Sequence, residues 1–350
     1  MTSGVVSVEE FLKMPCPAFD VRSPSEFDKG RIPNAISLPL LDDDERAAVG
    51  TAYKQAGRNE AIELGLKFVG PKLSTFISKV TSPNAKLYCW RGGLRSNSMS
   101  WLLNLFNIKS VTLNGGYKAF RRWVLSQTEI PRKIALVGGM TGSRKTSILK
   151  ALKLRGEQVL DLEALACHRG SSYGMLNMPQ QPSTEHFENE ISTQLCAFDP
   201  ERTIWIEDES RQIGSCVIPP GLFHQMRLAN LFIIERPCQE RIDNLLQDYG
   251  AADVDSLITA TQRISKRLGG LKTRQVIEAI HQGQLQDAIE MVLKYYDSAY
   301  MYTILKRAQP MTRLSGEKIP VDQWATELIN MEKVVCREKS PQLSTICSSF

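Results

Sequence analysis

The chain reads as two α/β modules in succession, the second continued by helices, and three observations lead there. Apolar segments of strand length alternate with stretches at helical spacing through roughly the first 240 residues. Two of those strands end in glycine-containing turns that run directly into a helix. Beyond residue 240 the strand signals stop and helical periodicity takes over. The expected boundaries are 1–128 for the first module, 129–240 for the second and 241–350 for a helical C-terminal extension packed on the second.

In the first module, Ala18–Val21 is extended, and Ser23-Pro24-Ser25-Glu26 starts a helix with a capping serine, a first-turn proline and a carboxylate. Ile36–Leu41 reads as a short strand, and residues 42–65 as a polar helical insert. Lys86–Cys89 is the next strand. The loop Trp90-Arg91-Gly92-Gly93-Leu94-Arg95-Ser96 comes after it, then a helix with Met99, Leu102 and Phe106 on one face. Val111–Leu113, Gly115-Gly116 and Tyr117–Val124 repeat the order strand, turn, helix. Gln127–Lys133 is the expected linker.

The cysteine loop carries chemistry. Paired glycines let successive backbone N–H groups turn inward, and with the positive end of the following helix they can hold a thiolate or an oxyanion. Arg95, six residues after Cys89, can clamp an anion, and Arg91 can line the same mouth. Cys89 is therefore the expected nucleophile, with its pKa lowered. The plain structural alternative is a buried strand-end cysteine beside an incidental glycine turn. A chemical alternative is also open, because Cys-x5-Arg fits a phosphatase loop that encircles a tetrahedral phosphate. Such an enzyme needs a general acid, and Asp42, Asp43 and Asp44 are merely near in sequence.

The second module opens with the apolar strand Ile134–Val137. Gly138-Gly139-Met140-Thr141-Gly142-Ser143-Arg144-Lys145-Thr146 and a helix with Ile148, Leu149 and Leu152 come next. This approximates a Walker A loop in its proper strand–loop–helix context, which predicts a P-loop NTPase/kinase-like parallel α/β domain. Gly139, Gly142, Ser143, Arg144, Lys145 and Thr146 are the expected phosphate-binding residues. Lys145 neutralises terminal oxygens, and Thr146 is placed to carry Mg2+. Arg144 stands where that motif has glycine. Its side chain either crowds the anion or adds to its charge. Further strands are expected at Val159–Leu162, Thr203–Ile206 and Leu231–Ile234, all continuously apolar as parallel strands covered on both faces are. Glu207-Asp208-Glu209 ends one of them at a Walker B position, so Glu207 or Asp208 is expected to orient Mg2+ or its water. Asp161 and Glu163 end another strand on the same crevice. His168 and Arg169, and Arg211 near the acidic run, are added as anion or substrate contacts, although His168 reads equally well as a structural histidine.

Composition narrows the classes. The chain has 350 residues, 42% of them hydrophobic and 23% charged, as in a globular protein with room for two cores. The opening MTSGVVSVEEFLK lacks a basic, then apolar leader, and no apolar run has membrane-spanning length. A cytoplasmic location and no membrane partner are the expectation. The eight cysteines are scattered without a CxxC pair, and the four histidines form no ligand motif, which argues against a zinc cluster or a disulfide scaffold. A formal charge of +5 permits a polyanionic partner.

Asp20-Val21-Arg22-Ser23-Pro24 with Glu26-Phe27, and then Gly30-Arg31-Ile32-Pro33 with Ala35-Ile36, resembles the opening signature of rhodanese-like domains. That likeness implies that the Asp-Val-Arg stretch supports the active loop and that the cysteine carries a persulfide or related chalcogen. From about residue 10 to about residue 305, the two modules together resemble the tRNA 2-selenouridine synthase family. Stretches that carry the likeness include LDDDERAAVGTAYKQAG from Leu41, YCWRGGLRS from Tyr88, GGYKAFR from Gly115, DLEALACHRGSSYG from Asp161, Gln181–Phe187 and IEDESRQIG from Ile206.

The resemblance implies an enzyme that replaces the 2-sulfur of a wobble 2-thiouridine by selenium through an S-geranylated intermediate. Geranyl diphosphate and selenophosphate are then substrates, Cys89 is the essential rhodanese cysteine, and Lys145 and Thr146 hold the diphosphate. Arg144 is the departure, since the family has glycine there. The implied partner is the anticodon arm of tRNA, bound mostly through charge with the wobble base splayed out. Arg121, Arg122, Arg132 and Lys133 near the junction, and Lys266, Arg267, Lys272 and Arg274 further on, are the contact candidates. Each one alone also fits ordinary solvated helix surface. Two other functions fit the residues: a sulfurtransferase or phosphatase fused to an NTPase, and a tRNA-binding homologue with an impaired P-loop.

Overall fold

A computed structural model of the chain describes residues 4–176, 178–307 and 309–339, with side chains described as far as residue 335. Residues 340–350, Cys347 among them, lie outside the described residues. The chain folds into two compact units, one made of residues 4–129 and Pro182–Cys196, the other of 130–181 and the residues from 197 onward.

The first unit is built on a five-stranded parallel sheet. Its strands are β1 (Gly4–Val6), β2 (Ala18–Asp20), β3 (Ile36–Ser37), β4 (Asn84–Tyr88) and β5 (Lys109–Leu113), in the order β1-β5-β4-β2-β3. β4 is central, pairing with β2 on one side and β5 on the other. Phe19, Leu87 and Met99 belong to one core cluster, and Tyr88, Tyr117 and Phe120 to the other. The helix Pro24–Lys29 begins as its residues dictate, with Pro24 in the first turn and a reciprocal capping box between Ser23 and Glu26.

Two differences from the sequence reading concern this unit. The strand expected over Ile36–Leu41 is only two residues long, although Leu38 N–H and Leu40 N–H still donate to the Asp20 and Val21 carbonyls. The expected boundary at 128 also omits a piece. The helix Thr184–Ala197 belongs, through Cys196, to this unit. There Ser192 Oγ donates to the Val124 carbonyl at 2.9 Å and Asn189 Nδ2 to the Tyr117 hydroxyl at 2.9 Å. These polar contacts leave no trace in hydrophobic periodicity.

The second unit has its own parallel sheet. β6 (Ile134–Gly139), β7 (Gln158–Leu160) and β8 (Ile204–Glu207) are followed by a small antiparallel pair, β9 (Gln212–Ile213) and β10 (Cys216–Val217). β11 (Asn230–Glu235) and β12 (Met311–Ser315) complete the main sheet, whose order is β12-β11-β6-β8-β7. After β6 the chain builds β7 and β8 on one side and then places β11 on the other. The strand order reverses at β6, and ligand crevices of open α/β sheets open beyond the strand ends at such a point.

Helices Cys238–Tyr249, Val254–Arg263, Gly270–His281 and Leu285–Leu305 form the expected helical region, with a core that includes Leu257, Val276, Ile280 and Val292. Past these helices the chain departs from the expected all-helical extension. Met311–Ser315 pairs in parallel with β11, from Leu231 opposite Met311 to Glu235 opposite Ser315. As an edge strand alternating exposed and half-buried residues, it lacks the continuous apolar run of its neighbours. The helix Val321–Lys339 then places Trp324, Ala325 and Leu328 against Ile148, Leu149 and Leu152, closing the core over that face of the sheet. Among the described residues no helix is long and apolar enough to cross a membrane.

Candidate functional site

Each unit presents one site where its sequence placed the glycine turn. In the first, Cys89 directly follows β4, and the helix Leu94–Leu105 begins after the loop. Cys89 Sγ accepts from the Gly93 N–H at 3.3 Å and lies 3.3 Å from Ser96 Oγ. Burial pushes this thiol up, but the hydrogen bonds of Ser96 and of the Gly93 N–H, with Arg95 nearby, outweigh it, and the net shift is downward. At 3% exposure, Cys89 is the floor of the loop rather than its rim, while Arg91 is exposed above it.

The loop is braced from two directions. Tyr117 N–H donates to the Cys89 carbonyl at 2.8 Å and Lys118 N–H to the Trp90 carbonyl at 3.0 Å. This contact requires glycine at 116, where φ is +59° and a Cβ would collide with the Cys89 carbonyl and the Gly92 nitrogen. Beneath, the fully buried Arg22 and Asp20 pair at 2.6 Å, and the Arg22 guanidinium sits 3.8 Å over the Tyr117 ring. A buried pair of this kind is costly to break, because either partner alone is an uncompensated charge.

Arg95 corrects the expected anion clamp. Its Nη1 is held by Glu26 at 2.8 Å, and burial of Glu26 is outweighed by that arginine, so the Glu26 carboxyl sits below its ordinary range. Part of the guanidinium fork is committed inside the unit, which leaves Arg95 as a field on the thiol more than a bidentate hand.

In the second unit, β6 runs into the loop Met140–Arg144, and the helix Lys145–Leu154 starts at the two residues expected to carry phosphate chemistry. The loop carbonyls are drawn outward by a set of donors. Arg241 Nη1 takes Thr141 O at 3.1 Å, Asn244 Nδ2 takes Gly142 O at 2.8 Å, and Arg236 Nε takes Ser143 O at 3.2 Å. Gly139 N–H donates to the Tyr300 hydroxyl at 2.8 Å, and the Ser143 hydroxyl is buried without a hydrogen-bond partner.

Lys145 Nζ lies 3.4 Å from Glu207 Oε1. Burial works against the ammonium, but the carboxylates around it, Glu207 first, push its pKa up. Thr146 Oγ1 is within 3.0 Å of Glu163 Oε2 and 3.2 Å of Glu207 Oε2. One carboxylate oxygen from each of Glu163, Glu207 and Glu209 falls within a common span of 4.8 Å. Burial and the neighbouring Glu207 raise Glu163 to about 8, and burial with the same neighbours also raises Glu209. Three carboxylates and a hydroxyl form an oxygen donor set suited to a hard divalent cation. A cleft of about 700 Å³ opens over this group, and Arg144, Arg169, Arg211, Arg227, Arg267 and Lys150 bring positive charge to its walls.

Both units match known protein families. Residues 7–122 match the rhodanese-like domain family, and residues 132–331 match the tRNA 2-selenouridine synthase AAA domain family. The chain is 32% identical to the tRNA 2-selenouridine synthase of Nitrosomonas europaea, over 87% of its own length and 93% of that protein. It is 34% identical to that of Aeromonas salmonicida, over 86% of this chain and 91% of the relative, and 35% identical to that of a Sulfurovum species, over 83% and 90%.

The chain belongs to the tRNA 2-selenouridine synthase family. Within this member, several expected residues prove to be placed otherwise. Asp208 does not face Thr146. It forms an ion pair with Arg307 at 2.8 Å while still lining the cleft beside Glu207 and Glu209. Asp161 caps the helix Leu162–Ala166 by accepting from Ala164 N–H at 2.9 Å, and contributes to the acidic group only through its field on Glu163 and Glu207.

The residues that sequence reasoning left out are Glu209 and, as a contact of Thr146, Glu163. Gly170 is their signature. At φ +65° its absent Cβ makes room for the Glu209 carboxylate, whose oxygens would lie 2.8 and 2.9 Å from that atom.

His168 is buried with Nδ1 unpartnered, and burial together with Arg263 lowers its pKa. Arg169 lines the cleft with its guanidinium 5.7 Å from the Tyr249 ring centre, and Arg211 is exposed at its edge. Arg144 adopts a left-handed conformation at φ +67°, and its guanidinium reaches Asp248 at 3.3 Å and Gln247. The side chain is thus held to the helix Cys238–Tyr249, at the wall of the cleft.

Among the basic candidates, Arg121 is committed to Glu188, Asn189 and the Glu185 carbonyl, which corrects its placement as an RNA contact. Arg122 is exposed, Arg132 is half-buried with its backbone N–H on Gln225, and Lys133 pairs with Glu201 at 2.9 Å. Lys266, Arg267, Lys272 and Arg274 are all exposed, and Arg267 also lines the phosphate cleft.

Proposed function

We propose that this protein converts a wobble 2-thiouridine of tRNA to 2-selenouridine in two steps, S-geranylation by geranyl diphosphate and then exchange of sulfur for selenium from selenophosphate. The observation that carries the reading is the joint presence, in one chain of this family, of a thiol held by the Gly93 N–H and Ser96 and of Lys145 and Thr146 at a glycine loop.

The chemistry accounts for both parts. A 2-thiocarbonyl sulfur is a poor leaving group. Its lone pair attacks C1 of the geranyl chain, the C1–O bond to diphosphate breaks, and the N3–H proton is released, which leaves a neutral thioether. The selenium of selenophosphate then adds at C2, the geranyl thiolate leaves and takes up a proton, and water cleaves the P–Se bond to release phosphate. Lys145 and the N-terminus of its helix stabilise the charge on departing diphosphate, with no need for nucleotide hydrolysis. A divalent cation, for which Glu163, Glu207, Glu209 and Thr146 supply oxygen donors, adds charge neutralisation when bound. Cys89, kept toward its thiolate by Ser96 and Gly93, serves the second step.

The anticodon arm is bound through the exposed cluster Lys266, Arg267, Lys272 and Arg274, with Arg122 as a further contact. The Arg144 geometry supports an intact phosphate site over an impaired one, because the side chain is anchored on Gln247 and Asp248.

The test is incubation of the purified protein with 2-thiouridine tRNA, geranyl diphosphate and selenophosphate, followed by nucleoside mass spectrometry. S-geranyl-2-thiouridine and then 2-selenouridine are expected. Unchanged nucleosides beside a competent control enzyme refute the proposal, and phosphoester hydrolysis or tRNA-independent ATP turnover favours a phosphatase or NTPase instead.

A further inference from the structure

The helix Asp43–Gln55 of the first unit has no buried residue, so packing into the core does not account for its place. Polar contacts tie its start instead. Ser25 Oγ donates to Asp43 Oδ1 at 2.5 Å, Lys72 Nζ donates to Glu45 Oε2 at 2.5 Å, and Asp42 caps the helix by accepting from Glu45 N–H at 2.8 Å. Three of the four acidic residues in Asp42-Asp43-Asp44-Glu45 are thus engaged locally. These ties hold the next residue, Arg46, beside the Cys89 loop.

Arg46 Nε lies 3.8 Å from Glu26 Oε2, the same oxygen that accepts from Arg95 Nη1 at 2.8 Å. Two guanidiniums therefore share one carboxylate, and their nitrogens are closer together than the sum of those distances. Arg95 acts on the Cys89 thiol by its charge, and Arg91 is exposed above it. Three arginines against one carboxylate leave the mouth of the loop with an excess of positive charge.

Arg46 is 53% exposed, and at 3.8 Å its contact with Glu26 is beyond hydrogen-bonding range. It gives up no hydrogen bond in turning to an incoming anion, while Arg95 stays on Glu26. A guanidinium is best matched by an anion that offers two or more oxygens at once, as a phosphate group does. An anionic donor also meets repulsion from a thiol kept toward its thiolate, and fixed cations at the mouth offset it.

We infer that Arg46, with Arg95 and Arg91, seats the phosphate group of the selenium donor at the mouth of the Cys89 loop. The inference rests on the proposed selenation for the identity of the donor, and it adds a binding residue from outside the loop.

The experiment follows alkylation of Cys89 in the full-length protein by anionic iodoacetate and by neutral iodoacetamide, read on the peptide that carries Cys89. Arg46→Ala is expected to slow iodoacetate about two- to fivefold, the effect of one charge at a partly solvated site, while the iodoacetamide rate stays within about twofold, which also shows that the loop is intact. Arg46→Lys keeps the charge and should keep most of the iodoacetate rate. Inorganic phosphate is expected to protect Cys89 from iodoacetate in the wild type, and Arg46→Ala to raise the half-protecting concentration about five- to tenfold.

An unchanged ratio of the two alkylation rates in Arg46→Ala overturns the inference. So does a wild-type Cys89 that phosphate does not protect. A raised KM for tRNA with none for selenophosphate overturns it as well, because the seated phosphate would then belong to RNA. The two proposals fail separately. Arg46-dependent protection by phosphate in a protein that leaves tRNA nucleosides unchanged refutes the transferase and keeps the seat, whereas selenation by Arg46→Ala at the wild-type KM for selenophosphate keeps the transferase and refutes the seat.

Discussion

Lys145 and Glu207 face each other at 3.4 Å, so the ammonium at the glycine loop is already held by the carboxylate at the end of β8. The arrangement positions the ammonium before ligand arrives and keeps a buried carboxylate compensated. It also makes the two residues interdependent, since removing either leaves the other as an unpaired buried charge.

Lys145→Met is expected to weaken pyrophosphate binding by about ten- to a hundredfold, the range of a charge-assisted contact, and to lower thermal stability at neutral pH. Adding Glu207→Gln to that variant restores melting temperature without restoring binding. Calorimetry and thermal melts of both variants check this. A double variant as unstable as the single one would show that the pairing is not what matters.

Glu163 couples the site to pH. Its pKa is raised to about 8 from an ordinary 4.5, so the folded protein binds this proton more tightly than the unfolded chain does. The stability it contributes is fully present below pH 4.5 and is lost as pH rises toward 8. Urea midpoints of the ligand-free protein should fall over that window, and Glu163→Gln should flatten the fall. An unchanged slope in the variant contradicts the assignment.

Ser96→Ala removes a hydroxyl partner of Cys89 and should raise the thiol pKa. Alkylation of Cys89 by iodoacetamide at neutral pH is expected to slow by up to about tenfold, with the rate–pH curve displaced upward by up to about one unit. A slower rate without a displaced curve would mean altered access instead. Cys89→Ala is expected to spare geranylation and abolish selenation. Equal loss of both steps in a folded variant contradicts that division of labour.

Arg144→Gly tests whether the departure from the motif obstructs the anion. The left-handed backbone costs a non-glycine residue about 1–2 kcal/mol, which glycine recovers, against loss of the contacts to Asp248 and Gln247. Because the side chain lies along the wall, pyrophosphate affinity should change less than about threefold. A gain of tenfold or more would show that Arg144 crowds the site.

Lys266→Glu with Arg267→Glu should weaken binding of tRNA and reduce the salt dependence of its affinity by about one to two ion equivalents. The measurement is affinity against salt concentration. Loss of affinity with an unchanged slope would place these residues away from the phosphates.

Much was legible in the sequence alone because it is local. A strand, a glycine turn and a helix are set by neighbouring residues, so both loops, Cys89, Lys145 and Thr146 stand where pattern and spacing put them. The acidic run Glu207-Asp208-Glu209 was visible too.

The tertiary structure alone decided which partners those groups meet. Arg307 claims Asp208, Glu26 claims Arg95, and the helix Thr184–Ala197 claims Arg121, each from a distant point in the chain. It likewise closed the sheet with Met311–Ser315. A hydrogen bond or a cavity belongs to residues brought together by folding, and sequence spacing carries no record of which carboxylate a buried guanidinium will find.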